Sequence, residues 1–163
     1  MYVRDLGELG INLQKIVSRL QANQDLLKLL YYTDKDPLSG EDLTPEQIKT
    51  EVFEQLIKVV PRVAYKETAK SIISLRVVNG DVDGENLEIR RISLGIEVFV
   101  PLTQWFIKDT SLRPFKIMGE IQKSLNNKVI NGLGRLSGGD FSLNFLTDEI
   151  SCYEMSFEIL QFD

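Results

Sequence analysis

Apolar residues recur three and four positions apart in the first third of the chain and two apart over much of the rest. Leu6, Leu9, Leu13, Ile16, Val17 and Leu20 would line one face of a helix, and Asp5 followed three residues later by Glu8 has the form of a capping box that would start it. A second helix is expected from Asn23, carrying Leu26, Leu27, Leu29 and Leu30, with Tyr31 and Tyr32 after it. Thr33 to Leu43 is polar and holds Asp34, Asp36, Pro37, Ser39, Gly40 and Asp42, which reads as a surface loop. Thr44-Pro45-Glu46-Gln47 is a helix start: threonine can cap, proline suits the first helical position, and glutamine can close the box. Ile48, Val52, Leu56 and Val59 would extend this third helix until Pro61 stops it.

The period then falls to two. Ile73, Leu75 and Val77 alternate with Ser74 and Arg76, a strand pattern, and Asn79-Gly80-Asp81-Val82-Asp83-Gly84 supplies hairpin turn chemistry. In the return strand Leu87 and Ile89 are apolar at odd positions, but Ile92, Leu94, Ile96, Val98 and Val100 at even ones. A bulge near Arg90-Arg91 would absorb that change of phase, and Pro101 would end the ladder. Asp109-Thr110-Ser111 offers caps for a further helix with Phe115, Met118, Ile121 and Leu125 as its buried stripe, broken by Asn126, Asn127, Asn131, Gly132 and Gly134. Phe141, Leu143 and Phe145, then Tyr153, Met155, Phe157 and Ile159, mark two last strands joined at Thr147-Asp148-Glu149.

The expected order is therefore α-α-α-β-β-α-β-β. It implies an α+β fold with an antiparallel or mixed sheet of about four strands, helices on one face and the other face polar. One domain is expected over residues 1–163, with a helical part over 1–62 and a sheet-plus-helix core over 70–163.

Composition narrows the function more than the fold. The net charge of −5 disfavours a nucleic-acid platform, which needs clustered Lys and Arg. No apolar run is long enough to cross a bilayer, and MYVRDLGELG lacks the form of a signal peptide, so cytoplasmic synthesis and no membrane partner are expected. The single cysteine rules out an internal disulfide. With no histidine, Ser-His-Asp and Cys-His catalysis and His-ligated metals are excluded.

The remaining candidates for chemistry read blandly. Asn79, Asp81, Asp83 and Gly84 follow a calcium-loop register, but the closing position that needs a glutamate is Arg90, and strands flank the loop. Gly132, Gly134, Gly138 and Gly139 precede a strand pattern where a phosphate loop needs a helix. Cys152 lacks an activating base. Arg90, Arg91 and Arg135 are the nearest thing to a basic patch, fit for solvated strand positions or for ion pairs to a neighbouring subunit. No catalytic residue, metal or cofactor is expected, and no enzyme.

The hairpin SIISLRVVNGDVDGENLEIRRISLGIEVFV, the helix SLRPFKIMGEIQKSLNN, and the closing hairpin around FSLNF and YEMSFEIL have a strand-strand-helix-strand-strand order. From about Lys70 to Phe162 this arrangement resembles the tail-terminator and tail-completion proteins of tailed bacteriophages. The resemblance implies a virion protein of the tail or neck, assembled in the host cytoplasm into a ring, usually a hexamer. Its partners would be itself, the tail tube protein and a head-completion or connector protein, and DNA would pass through without specific binding. Asp81, Asp83 and Glu85 would repel DNA phosphates if they face the lumen. Long strands that outrun their partners, Leu87 to Val100 above all, would offer edges to other subunits. The alternatives are another neck or head-completion adaptor, or a monomeric small-ligand-binding or regulatory α+β domain.

Overall fold

The computed structural model describes residues 6–60, 69–85 and 89–160. Asp5, the expected cap of the first helix, lies outside them. That helix, α1 (Leu6–Gln21), buries Leu13, Ile16, Val17 and Leu20 as its period requires, though Leu6 stands in solvent. Asn23 caps α2 (Gln24–Tyr31): its side-chain oxygen accepts from Leu26 N at 3.0 Å, and Leu26, Leu27, Leu29 and Leu30 are buried. The Thr33–Leu43 segment is held closely to the body. Pro37 and Leu43 are buried, Gln24 exchanges two hydrogen bonds with the Leu43 backbone, and Lys108 N donates to Lys35 O at 2.6 Å.

The capping box at Thr44 and Gln47 forms as expected, but the helix it starts does not last. Helix α3 (Pro45–Gln47) is followed at once by one π-helical turn, Ile48–Val52. Glu54 then adopts a left-handed backbone, φ 59°, and strand β1 (Ile57–Lys58) begins. The apolar spacing of Ile48, Val52 and Leu56 suits a helix, whereas the β-branched run Ile57, Val59, Val60 favours extended backbone and wins.

The other strands are β2 (Ile72–Val82), β3 (Ile89–Pro101), β4 (Val129–Ile130), β5 (Gly134–Leu146) and β6 (Ile150–Leu160). They form one sheet in the order β1-β2-β3-β6-β5-β4, with β1 parallel to β2 and every other pair antiparallel. The sheet is six-stranded, mixed and curled into a half-barrel, which corrects the expected four strands and the expected order α-α-α-β-β-α-β-β. The two added strands are two residues long, too short for alternation to register in a sequence. One sits in a segment with helical spacing and the other among asparagines and glycines read as a break. At the expected bulge Arg90 is the extra residue: Asp81 pairs with Arg91 and Val82 with Ile89, so Ile89 and Ile92 keep one face.

Helix α4 (Arg113–Leu125) crosses the middle of the sheet. Its Phe115 ring meets Phe141 of β5 and Tyr153 of β6, which fixes the helix-covered face as the one bearing Ile96, Met155 and Tyr153. The expected caps Asp109 and Thr110 instead adopt left-handed backbone, and Leu112 precedes the helix without capping it. The opposite face is not uniformly polar. Ile72, Phe99 and Cys152 are buried there in one cross-strand row, with the Phe145 ring beside Phe99.

Candidate functional site

At the β2–β3 hairpin the acidic residues are engaged by the arginines of the same hairpin. Asp81 pairs with Arg91 at 3.1 Å, Asp83 pairs with Arg90, and Asp83 also accepts from Glu85 N at 2.9 Å. Glu85 is exposed at the tip. Arg135 stands at the start of β5, far across the sheet, where it donates to Asn127 O at 3.2 Å. The register nevertheless puts Arg135, Arg91 and Asp81 in one transverse row, through Leu160 of β6. Among the described residues no group of acidic, cysteine or histidine side chains has the form of a metal site.

A charged cluster that sequence reasoning missed lies on the face away from the helices. Glu97 of β3 and Glu154 of β6 are direct cross-strand partners, and Arg76 of β2 reaches both, at 2.9 Å and 3.0 Å. Asn144 donates to Glu97 at 3.0 Å, and the Cys152 thiol donates to the same oxygen at 3.3 Å. Burial opposes the charge on Arg76, but the carboxylates outweigh it and raise its pKa. Burial first, and Glu97 second, push the Cys152 thiol well above its usual range, so it stays protonated and is no nucleophile. Gly95 makes room for the cluster: a Cβ there would stand 2.5 Å from a Glu154 oxygen. The visible signal was charge at the non-core positions of three strands.

A second cluster is apolar and exposed. Phe141, Leu143 and Leu146 of β5 are 56%, 52% and 60% exposed, although their cross-strand partners Met155, Tyr153 and Ser151 belong to the helix-covered face. Between helix α4 and β5 lies an open groove of about 480 Å³ lined by Phe115, Met118, Gln122, Phe141 and Met155. The alternation of Phe141 and Leu143 signals a core face; only the position of α4 reveals that it is uncovered.

This groove borders an unpaired sheet edge. On the outer side of β5 only Gly134 and Arg135 meet β4, and Leu136 bonds to the backbone of Asn127 and Lys128. Ser137 to Asn144 have no strand beside them there among the described residues. On the outer side of β2 Ile73 and Ser74 meet β1, and among the described residues no strand lies beside Leu75 to Val82. Strand β3, expected to offer an edge, is instead interior, paired with β2 on one side and β6 on the other.

The features define a mixed-sheet α+β protein with strand edges left open among the described residues, and with Arg76, Glu97, Glu154 and Cys152 held in one cluster. No helix among the described residues is long and apolar enough to cross a membrane. The YomW family model matches residues 23–159, and the chain belongs to that family. The family name is phage-derived, which marks the chain as a phage-associated protein. No curated protein matches it.

Proposed function

We propose that this chain is a virion assembly protein, a tail terminator that forms a ring on the tail tube and docks it to the head. The observation that carries the reading is that two edges near opposite ends of one sheet, Leu75 to Val82 and Ser137 to Asn144, have no strand beside them among the described residues. Soluble single-chain proteins blunt or cover such edges, because unpaired N–H and C=O groups recruit further strands. Two different edges on one subunit suit a head-to-tail contact, which closes into a ring when the rotation permits. The phage-derived family supports the setting. The partners would be other copies of the chain, the tail tube protein and a head-completion or connector protein. The net charge of −5 suits a ring that lets DNA pass without gripping it.

Mass spectrometry of purified particles and electron microscopy of particles lacking this gene test the proposal. The chain should be present in several copies per virion, and its loss should leave unjoined heads with tails of uncontrolled length. Absence of the chain from purified virions would overturn the reading. Unjoined heads beside tails of normal length would instead point to another neck or head-completion adaptor. A monomeric ligand-binding module has one observation behind it, the groove between α4 and β5. That reading requires a strict monomer with the groove open, whereas assembly through β5 would cover it.

A further inference from the structure

We infer that copies of this chain join by laying β2 of one molecule against β5 of the next, so that one antiparallel sheet continues across the seam. The inference rests on the assembly role proposed above and names the surfaces that perform it.

Strand direction comes first. β2, β3, β6 and β5 alternate in direction, so the run begins and ends on opposite senses. A copy placed beside the first by rotation about an axis along the strands presents its β2 antiparallel to β5, with no inversion. Following the register across the sheet, Leu75 to Asn79 stand level with Ser137 to Phe141, inside both open stretches.

The helix-covered face also leaves apolar residues exposed at both edges. Val77 and Val82 are exposed on β2, and their partners Leu94 and Ile89 belong to the helix-covered face. Phe141, Leu143 and Leu146 are exposed on that same face at the other edge. At this register Leu75 stands level with Phe141 and Val77 with Gly138, so the seam would cover Phe141 beside Phe115, while Val82 and Leu143 fall outside the paired stretch.

Charge distinguishes this seam from a symmetric β5–β5 pair. The hairpin tip with Asp81, Asp83 and Glu85 stands level with the end of the sheet that bears Lys128 and Arg135, both exposed. Only the β2-to-β5 seam sets acidic tip beside basic end. A β5–β5 pair leaves the tip and Val77 uncovered. Strand β4 beyond Arg135 and β1 beside Ser74 act as stops that limit sliding.

The test mixes two edge-blocked variants of the full chain, read by sedimentation velocity and native mass spectrometry. The unaltered protein should form an oligomer of fixed copy number as concentration rises. Val77→Lys on the β2 edge and Phe141→Lys on the β5 edge should each stay monomeric while keeping the circular dichroism and melting profile of the parent. Mixed one to one, they should form a dimer and nothing larger, because each retains the edge the other lacks. A mixture that stays monomeric, a single variant that still self-associates, or a parent that stays monomeric at the highest concentration overturns the seam. If Phe141→Lys unfolds, Asp81→Lys and Arg135→Glu replace it: each should weaken association at least tenfold and the double swap should restore it, and additive losses overturn the seam. Virion content is read separately. A chain found in particles whose variants do not complement refutes the seam alone; complementing variants of a chain absent from virions refute the assembly role alone.

Discussion

Glu97 and Glu154 face each other across β3 and β6 as direct cross-strand partners, and the Arg76 guanidinium bonds to both. Like charges placed this way repel, so the pair holds together only while the cation is present. Arg76→Met should destabilise the fold by about 2 kcal/mol, below the ~3–5 kcal/mol of a fully buried pair, because part of the arginine reaches water. Adding Glu97→Gln should recover part of the loss, since it removes one of the stranded charges. Urea denaturation of the two single changes and the double change checks this. Strictly additive losses would show that the three groups do not act as a unit.

Two glycines should respond to alanine with opposite signs. A Cβ at Gly95 would meet Glu154 Oε1 at 2.5 Å and Val78 Cγ2 at 3.2 Å, pressing on the same charged cluster. Gly95→Ala should therefore cost about 1–3 kcal/mol. Gly119 lies inside α4 with nothing within 4 Å of the added carbon. Gly119→Ala should stabilise by about 0.5–1 kcal/mol, because alanine loses less backbone entropy in a helix. Thermal melts of the two variants read both signs at once.

The legible parts of this fold were those with several turns or several alternations to read. Leu26 to Leu30 behind Asn23, and Ile92 to Val100 with its phase change at Arg90, were placed by period and cap alone. Ile57–Lys58 and Val129–Ile130 were not, because two residues carry no period and pair only where a long strand already waits. The failure at Ile48 to Val59 has another cause: one set of apolar residues fits either period, and the sheet edge decides. Of the candidate site, the acidic hairpin and its arginines were visible, but their mutual pairing was not. The open β5 edge was hidden because Phe141 and Leu143 alternate like core residues, and burial depends on how far α4 extends.

Arg113, the first residue of α4, shows no exposed surface, and its guanidinium donates to four backbone carbonyls. Leu29 O, Tyr32 O, Asp34 O and Gln104 O accept at 2.6, 2.8, 2.7 and 2.9 Å. It thereby closes the C-terminus of α2 and ties the loop after it to α4, supplying donors that a helix end lacks. Arg113→Met should cost about 3–5 kcal/mol through carbonyls left buried and unpaired. Arg113→Lys should recover little of this, since a single ammonium cannot span the fork of acceptors. Amide exchange of the α2 residues should quicken in both variants before global unfolding; unchanged protection there would show that the arginine does not hold α2.

Cys152 gives the fold a pH dependence with a definite sign. Its side chain is fully buried, and burial, followed by its hydrogen bond to Glu97 and the charge on that residue, raises its pKa above the ordinary 9.0. The folded state thus holds the proton more tightly than the unfolded chain does. The stability tied to that proton is complete below about pH 9 and declines as pH rises beyond it, by up to about 1.4 kcal/mol per unit. Cys152→Ala should lower stability at neutral pH through the lost contacts. It should also flatten the decline between about pH 9 and 10.5 relative to the parent, because no thiol remains to ionise on unfolding. The difference between the two urea-denaturation profiles isolates this group from tyrosines and lysines that titrate in the same range. A disulfide reagent should leave the folded thiol unlabelled at pH 8 and label it as the chain unfolds. Parallel profiles for parent and variant, or rapid labelling of the native protein, would remove Cys152 from the interior proton balance.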